Sequence, residues 1–267
     1  MKTLSAFILA LLLQSTISAN ALDLANDSIA IPRGSNIYTD NLRNLYVVSP
    51  TNDIIKYDYN GNKLAVANFK VLGNISHIDV SNPFEIYVFY RDQNKIVFLD
   101  NLLNNRGEFD LEDIGVSQIA CIGRSFDNHI WLFDLADLKI KKYSKDQKLL
   151  LESAPFNTFL SGDISPTQIL DNNNNLYLLN NNKILEFDIF ANYNTVKFSD
   201  TLQSFQNING RFVYYRDHKL YVYQPKTFTL KAIDYVFPEN CRNVRIEKGT
   251  LYILTDEFVI LSAYSIE

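Results

Sequence analysis

The sequence is poor in the residues that build disulfide scaffolds, zinc sites and nucleic-acid surfaces. Two cysteines in 267 residues are too few for a disulfide framework or a four-cysteine zinc site. The formal net charge is −5, which argues against nucleic acid as a partner because phosphates require clustered Lys and Arg. One Trp and one Met stand against sixteen Tyr and eighteen Phe, a balance that favours strands over helices.

Catalytic and cofactor-binding motifs are also missing. The sequence has no phosphate-binding loop, no Gly-x-Ser-x-Gly turn and no Ser-x-Asp-x-Gly-x-Thr-Trp box of the sialidases. No metal-ligand spacing joins His77, His129 and His218. No spacing singles out the pair of carboxylates that glycoside cleavage needs. We therefore expect a protein that is not an enzyme and that holds neither a metal nor a cofactor.

Long apolar runs are absent except for a short one near the N-terminus. Residues 4–13 are apolar, which is about half of the roughly twenty residues that a membrane-spanning helix needs. The small residues Ala19 and Ala21 then offer a cleavage site, so residues 1–21 are typical of a signal peptide. No Cys follows the apolar run, which argues against a lipoprotein. We expect the mature chain, residues 22–267, to be periplasmic or secreted and to have no membrane span.

What the sequence does contain is a repeat of short apolar runs. Their second residues are 36 to 46 positions apart: Tyr46, Tyr87, Trp131, Tyr177, Val213 and Tyr252. A period near 40 residues with several strands per repeat is typical of propeller blades. Six such repeats fill residues 22–267, so we predict an all-β fold with one domain, a six-bladed β-propeller.

Each apolar run is expected to be a strand buried between neighbouring blades, because it is apolar on both faces. A second strand and a weaker outer strand follow it in most repeats. The last repeat has no residues left for its outer strand, and an unpaired edge there would invite aggregation. The apolar segment 28–31 is otherwise unused. We predict that this N-terminal strand adds to the last blade and closes the ring.

Two of the repeats carry a motif with a family resemblance. Ile55-Lys-Tyr-Asp-Tyr-Asn-Gly61 and Ile184-Leu-Glu-Phe-Asp188 resemble the hydrophobic-x-x-Tyr/Phe-Asp-x-x-Gly pattern of NHL-like and TolB-like six-bladed propellers. The whole chain after residue 21 also resembles the exported, functionally unassigned propellers of Bacteroidota. This resemblance implies a binding or scaffold module rather than an enzyme.

One polar residue recurs at the start of the innermost strand of each repeat. The six residues are Asn36, His77, Gln118, Gln168, Asn207 and Asn243. These side chains could satisfy backbone groups and water beside the channel, as buried polar groups require. Alternatively, they could form a polar ring that grips a ligand at the channel mouth.

The connection between the third and fourth repeats is unusually long. Its apolar residues Phe156, Phe159 and Leu160 could form an exposed anchor for a partner protein, because long loops on rigid scaffolds often carry function. The alternative is a short helix that folds these residues back onto a blade. Cys121 and Cys241 belong to repeats that stand opposite each other in a ring of six, so we predict two free, buried thiols.

These observations favour a function in binding. We expect a protein-binding or scaffold module of the bacterial cell envelope that is monomeric on its own and recognises a protein partner. The alternative is a propeller that binds carbohydrate, or cleaves it, with aromatic side chains around the channel.

Overall fold

The structure of the protein is a computed structural model that describes residues 28–172 and 174–264. The signal peptide that the sequence predicts over residues 1–21 lies outside the described residues. No helix within the described ranges has the length and apolar character needed to cross a membrane.

In the described part of the chain, twenty-four strands form six antiparallel sheets of four strands each. Each sheet is one blade of a β-propeller, as the repeat predicts. In five of the six blades residues of the first strand line the central channel. The later strands follow outwards in sequence order, except that the outermost strand of the last blade comes from the N-terminus. Four single-turn 3₁₀ helices occur in the connections between strands: Lys70–Leu72, Arg91–Gln93, Glu112–Ile114 and Phe156–Thr158.

The strands of blades 1 to 3 are named here from the channel outwards. Blade 1 consists of β2 (Asn36–Thr39), β3 (Leu45–Val48), β4 (Ile54–Tyr57) and β5 (Lys63–Ala67). Blade 2 consists of β6 (His77–Asp79), β7 (Ile86–Tyr90), β8 (Lys95–Leu99) and β9 (Asn105–Asp110). Blade 3 consists of β10 (Ile119–Arg124), β11 (Ile130–Asp134), β12 (Lys139–Tyr143) and β13 (Leu149–Glu152).

Blades 4 to 6 follow the same order. Blade 4 consists of β14 (Pro166–Asp171), β15 (Leu176–Asn180), β16 (Lys183–Phe187) and β17 (Tyr193–Ser199). Blade 5 consists of β18 (Gln206–Ile208), β19 (Arg211–Arg216), β20 (Lys219–Gln224) and β21 (Thr229–Ala232). Blade 6 consists of β22 (Asn243–Glu247), β23 (Thr250–Leu254), β24 (Phe258–Ala263) and the N-terminal β1 (Ser28–Ala30).

Burial falls from the second strand of a blade to the outermost one. Every residue of β3, β7, β11 and β15 is buried, whereas every residue of β21 is exposed. The apolar core lies between neighbouring blades rather than inside any one of them. Tyr46 of blade 1, for example, packs in one cluster with Ile86 of blade 2, and each of the other interfaces between described blades has its own cluster.

The predicted closure of the ring is confirmed. Strand β1 pairs antiparallel with β24, with Ser28 opposite Ile260 and Ala30 opposite Phe258. Ile29 and Ile31 are 8% exposed and pack in the cluster between blades 6 and 1. The closing strand therefore completes blade 6 with hydrogen bonds and also fills the interface with blade 1.

The two cysteines are free and buried, as predicted. Cys121 packs in the cluster between blades 3 and 4, and Cys241 packs in the cluster between blades 5 and 6. They therefore behave as small apolar residues of separate interfaces. Burial raises the pKa of Cys241 to about 11 and raises that of Cys121 as well.

Removing the apolar side chains of the closing strand should open the ring. We expect the double substitution Ile29→Ala, Ile31→Ala to cost about 2 kcal/mol per residue, which lowers Tm by roughly 4–8 °C for each. The variant should also aggregate, because β24 then presents an unpaired edge. Val71→Ala, at a side chain that is 90% exposed, is the control. Equal melting of the double variant and wild type would contradict closure by β1.

The thiols should be present but unreactive in the folded protein. Because their pKa values are raised, both remain protonated at pH 7, and only the thiolate is alkylated readily. We expect very slow modification by iodoacetamide in native buffer and two titratable thiols per chain after denaturation without reductant. Finding none after denaturation would show that the two interfaces are bridged.

Candidate functional site

A polar cavity of about 380 Å³ occupies the propeller channel. Its wall comes from the innermost strands of blades 1, 2, 4 and 6, from Arg124 of blade 3 and from the segment just before blade 5. We call it the channel cavity. The innermost strands of blades 3 and 4 lie so close that a Cβ atom added at Gly123 would be 2.9 Å from the Ile169 carbonyl oxygen. Arg124 is the β10 residue that reaches the cavity wall.

The structure brings four of the six recurring polar residues to one level. Asn36, His77, Gln168 and Asn243 each pair with the fourth residue of the apolar run beside them, namely Val48, Phe89, Leu179 and Leu254. All four line the channel cavity. In blades 1, 2, 4 and 6, the residues that the sequence repeat aligns therefore occupy equivalent positions on the channel wall.

Gln118 and Asn207 lie elsewhere, for local reasons. In blade 3 the strand register shifts between Ile119 and Ile122, so Gln118 falls before the first pair of β10. In blade 5 a two-residue turn leaves Asn207 opposite Phe212, the first residue of its run. The Asn207 side chain accepts a hydrogen bond from the Gly210 backbone at 3.1 Å. Its role is therefore in the turn, and Ser204 takes its place at the cavity wall.

Gln168 has a structural role as well as a place in the cavity wall. Its Nε2 donates to the Phe205 carbonyl at 2.9 Å, and its Oε1 accepts from the Phe205 N–H at 3.1 Å. Gln206 makes the same two-way contact with the backbone of Ile246, at 3.0 Å in both directions. These two amides join blade 4 to blade 5 and blade 5 to blade 6. The alignment of the six repeats did not single out Gln206, because it assigned the neighbouring Asn207 to the polar ring.

Burial shifts the pKa values of three side chains in the wall formed by blades 6, 1 and 2. Burial lowers the pKa of Arg245 to about 10, and its Nε has no hydrogen-bond partner among the described residues. Burial raises the pKa of Tyr38, an effect that the positive charge of Arg245 partly offsets. Burial also lowers the pKa of His77, with Asp79 opposing and Arg245 and Arg91 reinforcing the shift. His77 meets the Tyr38 ring edge-on, with centroids 6.3 Å apart.

A second cavity, of about 410 Å³, opens at one end of the channel. Phe84 and Phe126 line it and are 66% and 49% exposed. Ser81, Arg124 and Asp171 line both cavities, so the two are continuous. We call the second one the rim groove, and we call this end of the propeller the groove face. The groove face carries the connections between the first and second strands of each blade and those between the third and fourth strands of blades 1 to 5.

Hydrogen bonds between neighbouring blades and within single loops hold the rim groove in shape. The Asp171 carboxylate accepts from the Trp131 Nε1 at 2.8 Å and from the Phe126 N–H at 3.3 Å. The Asn82 side chain accepts from the Phe84 N–H at 2.9 Å. Trp131 is the second residue of the apolar run in blade 3. It donates to the same Asp171 carboxylate that accepts from the Phe126 N–H, so it helps to fix the loop on which Phe126 lies.

The motif behind the family resemblance also shapes the groove face. The Asp58 carboxylate accepts from the N–H groups of Asn60 and Asn62 and from the Asn62 side chain. The same turn recurs at Asp100 with Asn104 and at Asp188 with Asn192. The bonds from Asn104 lower the pKa of Asp100 to about 2. These Asp residues are therefore structural, and the turns they close present Tyr59, Leu102 and Phe190 to solvent.

The long connection between blades 3 and 4 folds back onto the propeller. Phe156 is fully buried, with its ring centroid 4.8 Å from Phe133 and 5.3 Å from Phe187. Phe159 is half-buried and stacks on Tyr193 at 4.6 Å, and Leu160 packs against the same cluster. The structure thus has the short-helix arrangement. Because Phe156 is in the core, an exposed anchor built from all three side chains does not fit this conformation.

The histidines and acidic residues do not form a metal cluster in the described part of the chain. His77 faces the channel, His129 is half-buried where a loop of blade 3 ends, and His218 is exposed in the turn between β19 and β20. Asp79 and Asp171 both line the channel cavity. Asp79 accepts from the backbone of Ser81 at 2.9 Å and of Arg124 at 2.8 Å, so both carboxylates already hold protein groups in place.

The two-way contact of Gln168 gives a prediction about stability. Gln168→Met keeps the size of the side chain but leaves the Phe205 N–H and carbonyl unpaired, so we expect a loss of about 1–3 kcal/mol in unfolding free energy. Gln118→Met is the matched control, because Gln118 is exposed and its side chain makes no hydrogen bond with the described residues. Urea unfolding followed by the fluorescence of buried Trp131 measures both. Equal losses would refute the structural role of Gln168.

Comparison with known proteins places the fold and not the function. No family model matches the chain, and no curated protein matches it. Solved structures do match. An inactive virginiamycin B lyase from Staphylococcus aureus, with quinupristin, is 12% identical with a TM-score of 0.57, covering 89% of this chain and 96% of the lyase.

Two further structures are similar. The extracellular domain of BT4673 from B. thetaiotaomicron, described as a one-component system, is 15% identical with a TM-score of 0.54. That alignment covers 87% of this chain and 34% of the other. YCF48 bound to D1 peptide is 11% identical with a TM-score of 0.55, covering 92% of this chain and 99% of YCF48. At such identities the likeness concerns the fold alone, and the described chain is a six-bladed β-propeller.

Proposed function

We propose that this protein is an exported, non-enzymatic β-propeller of the bacterial cell envelope that binds a protein partner through its groove face. The proposal keeps the leader predicted over residues 1–21, the motif resemblance to NHL-like and TolB-like propellers, and the resemblance of the whole chain to exported propellers of Bacteroidota. The observation that carries it is the uneven distribution of exposed apolar side chains between the two ends of the propeller.

The groove face displays a series of large apolar side chains on its loops. They are Leu42, Tyr59, Phe84, Leu102, Phe126, Ile189, Phe190 and Phe228. At the opposite end, the exposed large apolar residues of the described chain are Val71, Val236 and Phe258. Scattered apolar residues are normal on a protein surface, but aromatic residues gathered at one end beside a concave site favour a protein interface.

The rim groove supplies the centre that such an interface needs. Phe84 and Phe126 come from adjacent blades and line one concave site. Interface energy usually concentrates in a few aromatic or Arg residues that are surrounded by polar groups. Asn41, Asn128 and Asn172 also line the groove, so apolar anchors and polar groups occur together.

The similar folds are consistent with a binding role outside the cell or in the envelope. BT4673 contributes an extracellular domain, and YCF48 is seen with a bound peptide. Neither fixes the role of this chain, because propellers host unrelated functions. They support the choice of a protein partner in the envelope as the first candidate to test.

A carbohydrate ligand is the second candidate, and the amides of the rim groove favour it. Asn82 and Asn128 use their side-chain oxygens within the protein, which leaves N–H groups as donors for sugar hydroxyls. Phe84 and Phe126 could cover the apolar faces of a sugar ring. The interior acids Asp79 and Asp171 are hydrogen-bonded within the protein, so binding is favoured over cleavage.

Site-specific cross-linking tests the proposed face. A photo-reactive residue introduced at position 84 or 126 should capture one envelope protein in living cells, because these side chains would be buried by the partner. The captured protein is then purified. Its affinity is measured for the wild-type propeller and for the double variant Phe84→Ser, Phe126→Ser. We expect at least a tenfold loss in affinity, since two buried aromatic contacts are removed.

Val71→Ser and Val236→Ser provide the control, because both side chains are exposed at the opposite end. Equal capture from positions 71 and 236, or an affinity unchanged by the groove substitutions, would contradict the proposed face. A glycan array with the mature protein tests the second candidate. Binding to a glycan that is lost in Phe84→Ser, Phe126→Ser would replace the protein partner by a carbohydrate.

A further inference from the structure

One arc of the channel wall contains polar side chains that have no partner in the described part of the protein. Asn36 and Tyr38 of blade 1, His77 of blade 2 and Arg245 of blade 6 all line the channel cavity. None of these side chains makes a hydrogen bond or ion pair with another described residue, whereas Gln168 on the facing wall is engaged with the Phe205 backbone. Blades 6, 1 and 2 are consecutive around the ring, so the unpaired groups face a common space.

Arg245 is the most unusual of them. It is half-buried, and its Nε is buried without a hydrogen-bond partner among the described residues. A guanidinium in such a position normally pairs with a carboxylate, because an uncompensated charge away from water is costly. Arg124, the other cation of the cavity wall, follows that rule: it forms an ion pair with Glu85 at 2.9 Å and donates to the Glu85 carbonyl at 3.0 Å. Arg245 forms no ion pair with a described residue. The negative charge of Glu247, two residues further along β22, offsets only part of the effect of burial on the pKa of Arg245.

We propose that the channel cavity is a binding site for a carboxylate group, with Arg245 as its cationic partner. The planar guanidinium matches a carboxylate in shape and in charge. Tyr38 and Asn36 can donate further hydrogen bonds to its oxygens, and His77 can do so through a ring N–H. The arc thus offers one positive charge surrounded by neutral donors.

The surrounding charges favour one negative charge over two. Asp79 and Asp171 line the same cavity, and both are already used to hold backbone or side-chain N–H groups. The second charge of a phosphate dianion would lie near these carboxylates, and Arg124, the other cation of the cavity wall, is already paired with Glu85. A carboxylate monoanion is repelled less strongly than a dianion.

The volume of the cavity limits the ligand to a small molecule or to the end of a chain. A space of about 380 Å³ falls at the lower end of the range of ordinary ligand sites. Two sources share this chemistry: a free sugar acid and the C-terminal carboxylate of a peptide. The site does not depend on the groove face being a protein interface, because its groups lie inside the channel.

Titration of His77 by NMR gives a local readout. The sequence has three histidines, so His77→Gln assigns the imidazole signal of His77. A carboxylate bound next to the ring favours imidazolium, so the pKa of His77 should rise when the protein is saturated with ligand. Acetate, glucuronate and trialanine serve as probes. Glucose, trialanine amide and inorganic phosphate are the matched controls without a carboxylate.

Calorimetry with the same probes then compares two substitutions in the arc. Arg245→Gln removes the charge, and we expect at least a tenfold weaker affinity and no ligand-induced rise in the pKa of His77. Arg245→Lys keeps the positive charge but lacks the planar guanidinium that can donate two parallel hydrogen bonds to a carboxylate, so it should retain part of the affinity. Arg106→Gln, at an exposed Arg paired with Asp100, should bind like wild type. If Arg245→Gln does not fold by circular dichroism, Tyr38→Phe replaces it, with a smaller loss expected.

The outcomes separate the possible sources and decide the proposal. Tighter binding of glucuronate indicates a sugar acid, and tighter binding of trialanine indicates a peptide end. Phe84→Ser, Phe126→Ser should bind acetate and trialanine normally, which separates this site from the proposed partner face. The proposal fails if none of the carboxylates binds at millimolar concentration, if phosphate or the neutral controls bind equally well, or if Arg245→Gln binds as wild type does.

Discussion

The structure depends on the burial of strands that are apolar on both faces. A single sheet has no core of its own, so each blade is stable only against its neighbours. The clusters between blades show this directly: Tyr46, Tyr87 and Tyr252 are fully buried in interfaces rather than inside single blades. A chain of such units must close on itself, and β1 does this by pairing with β24 while Ile29 packs toward blade 1.

Closure gives the protein a rigid frame on which loops can vary. The aromatic residues at the second position of the apolar runs connect this frame to the loops of the groove face by hydrogen bonds. Tyr46 donates to Asp40 at 2.8 Å, Trp131 to Asp171 at 2.8 Å and Tyr252 to the Arg43 carbonyl at 2.7 Å. The last two bonds cross from one blade to the next. The residues that define the sequence repeat therefore also fix the loops around the channel mouth, which links the stability of the ring to the shape of the candidate site.

The sequence predicts the number of blades and the closing strand because both follow from hydrophobic periodicity and from the need to cover an edge. Strand register is harder to predict. The shift between Ile119 and Ile122 displaces Gln118 from the ring, and no pattern in the residues announces it. The two-residue turn after Ile208 displaces Asn207. The sequence does contain a signal for this turn, because Asn209-Gly210, with positive φ at both residues, is the usual pair of a tight hairpin. Exposure is harder still: Phe156 and Phe126 are both loop phenylalanines, but one is fully buried and the other is half exposed. Only packing distinguishes them.

The central claim is that recognition takes place on the groove face of a rigid ring. Amide hydrogen exchange of the protein, alone and with the partner captured at position 84 or 126, tests it most directly. We expect added protection in the loops 40–44, 80–85 and 125–129, with no change in the second strands of the blades. Protection confined to the opposite end, around residues 68–76 and 234–242, would contradict the claim.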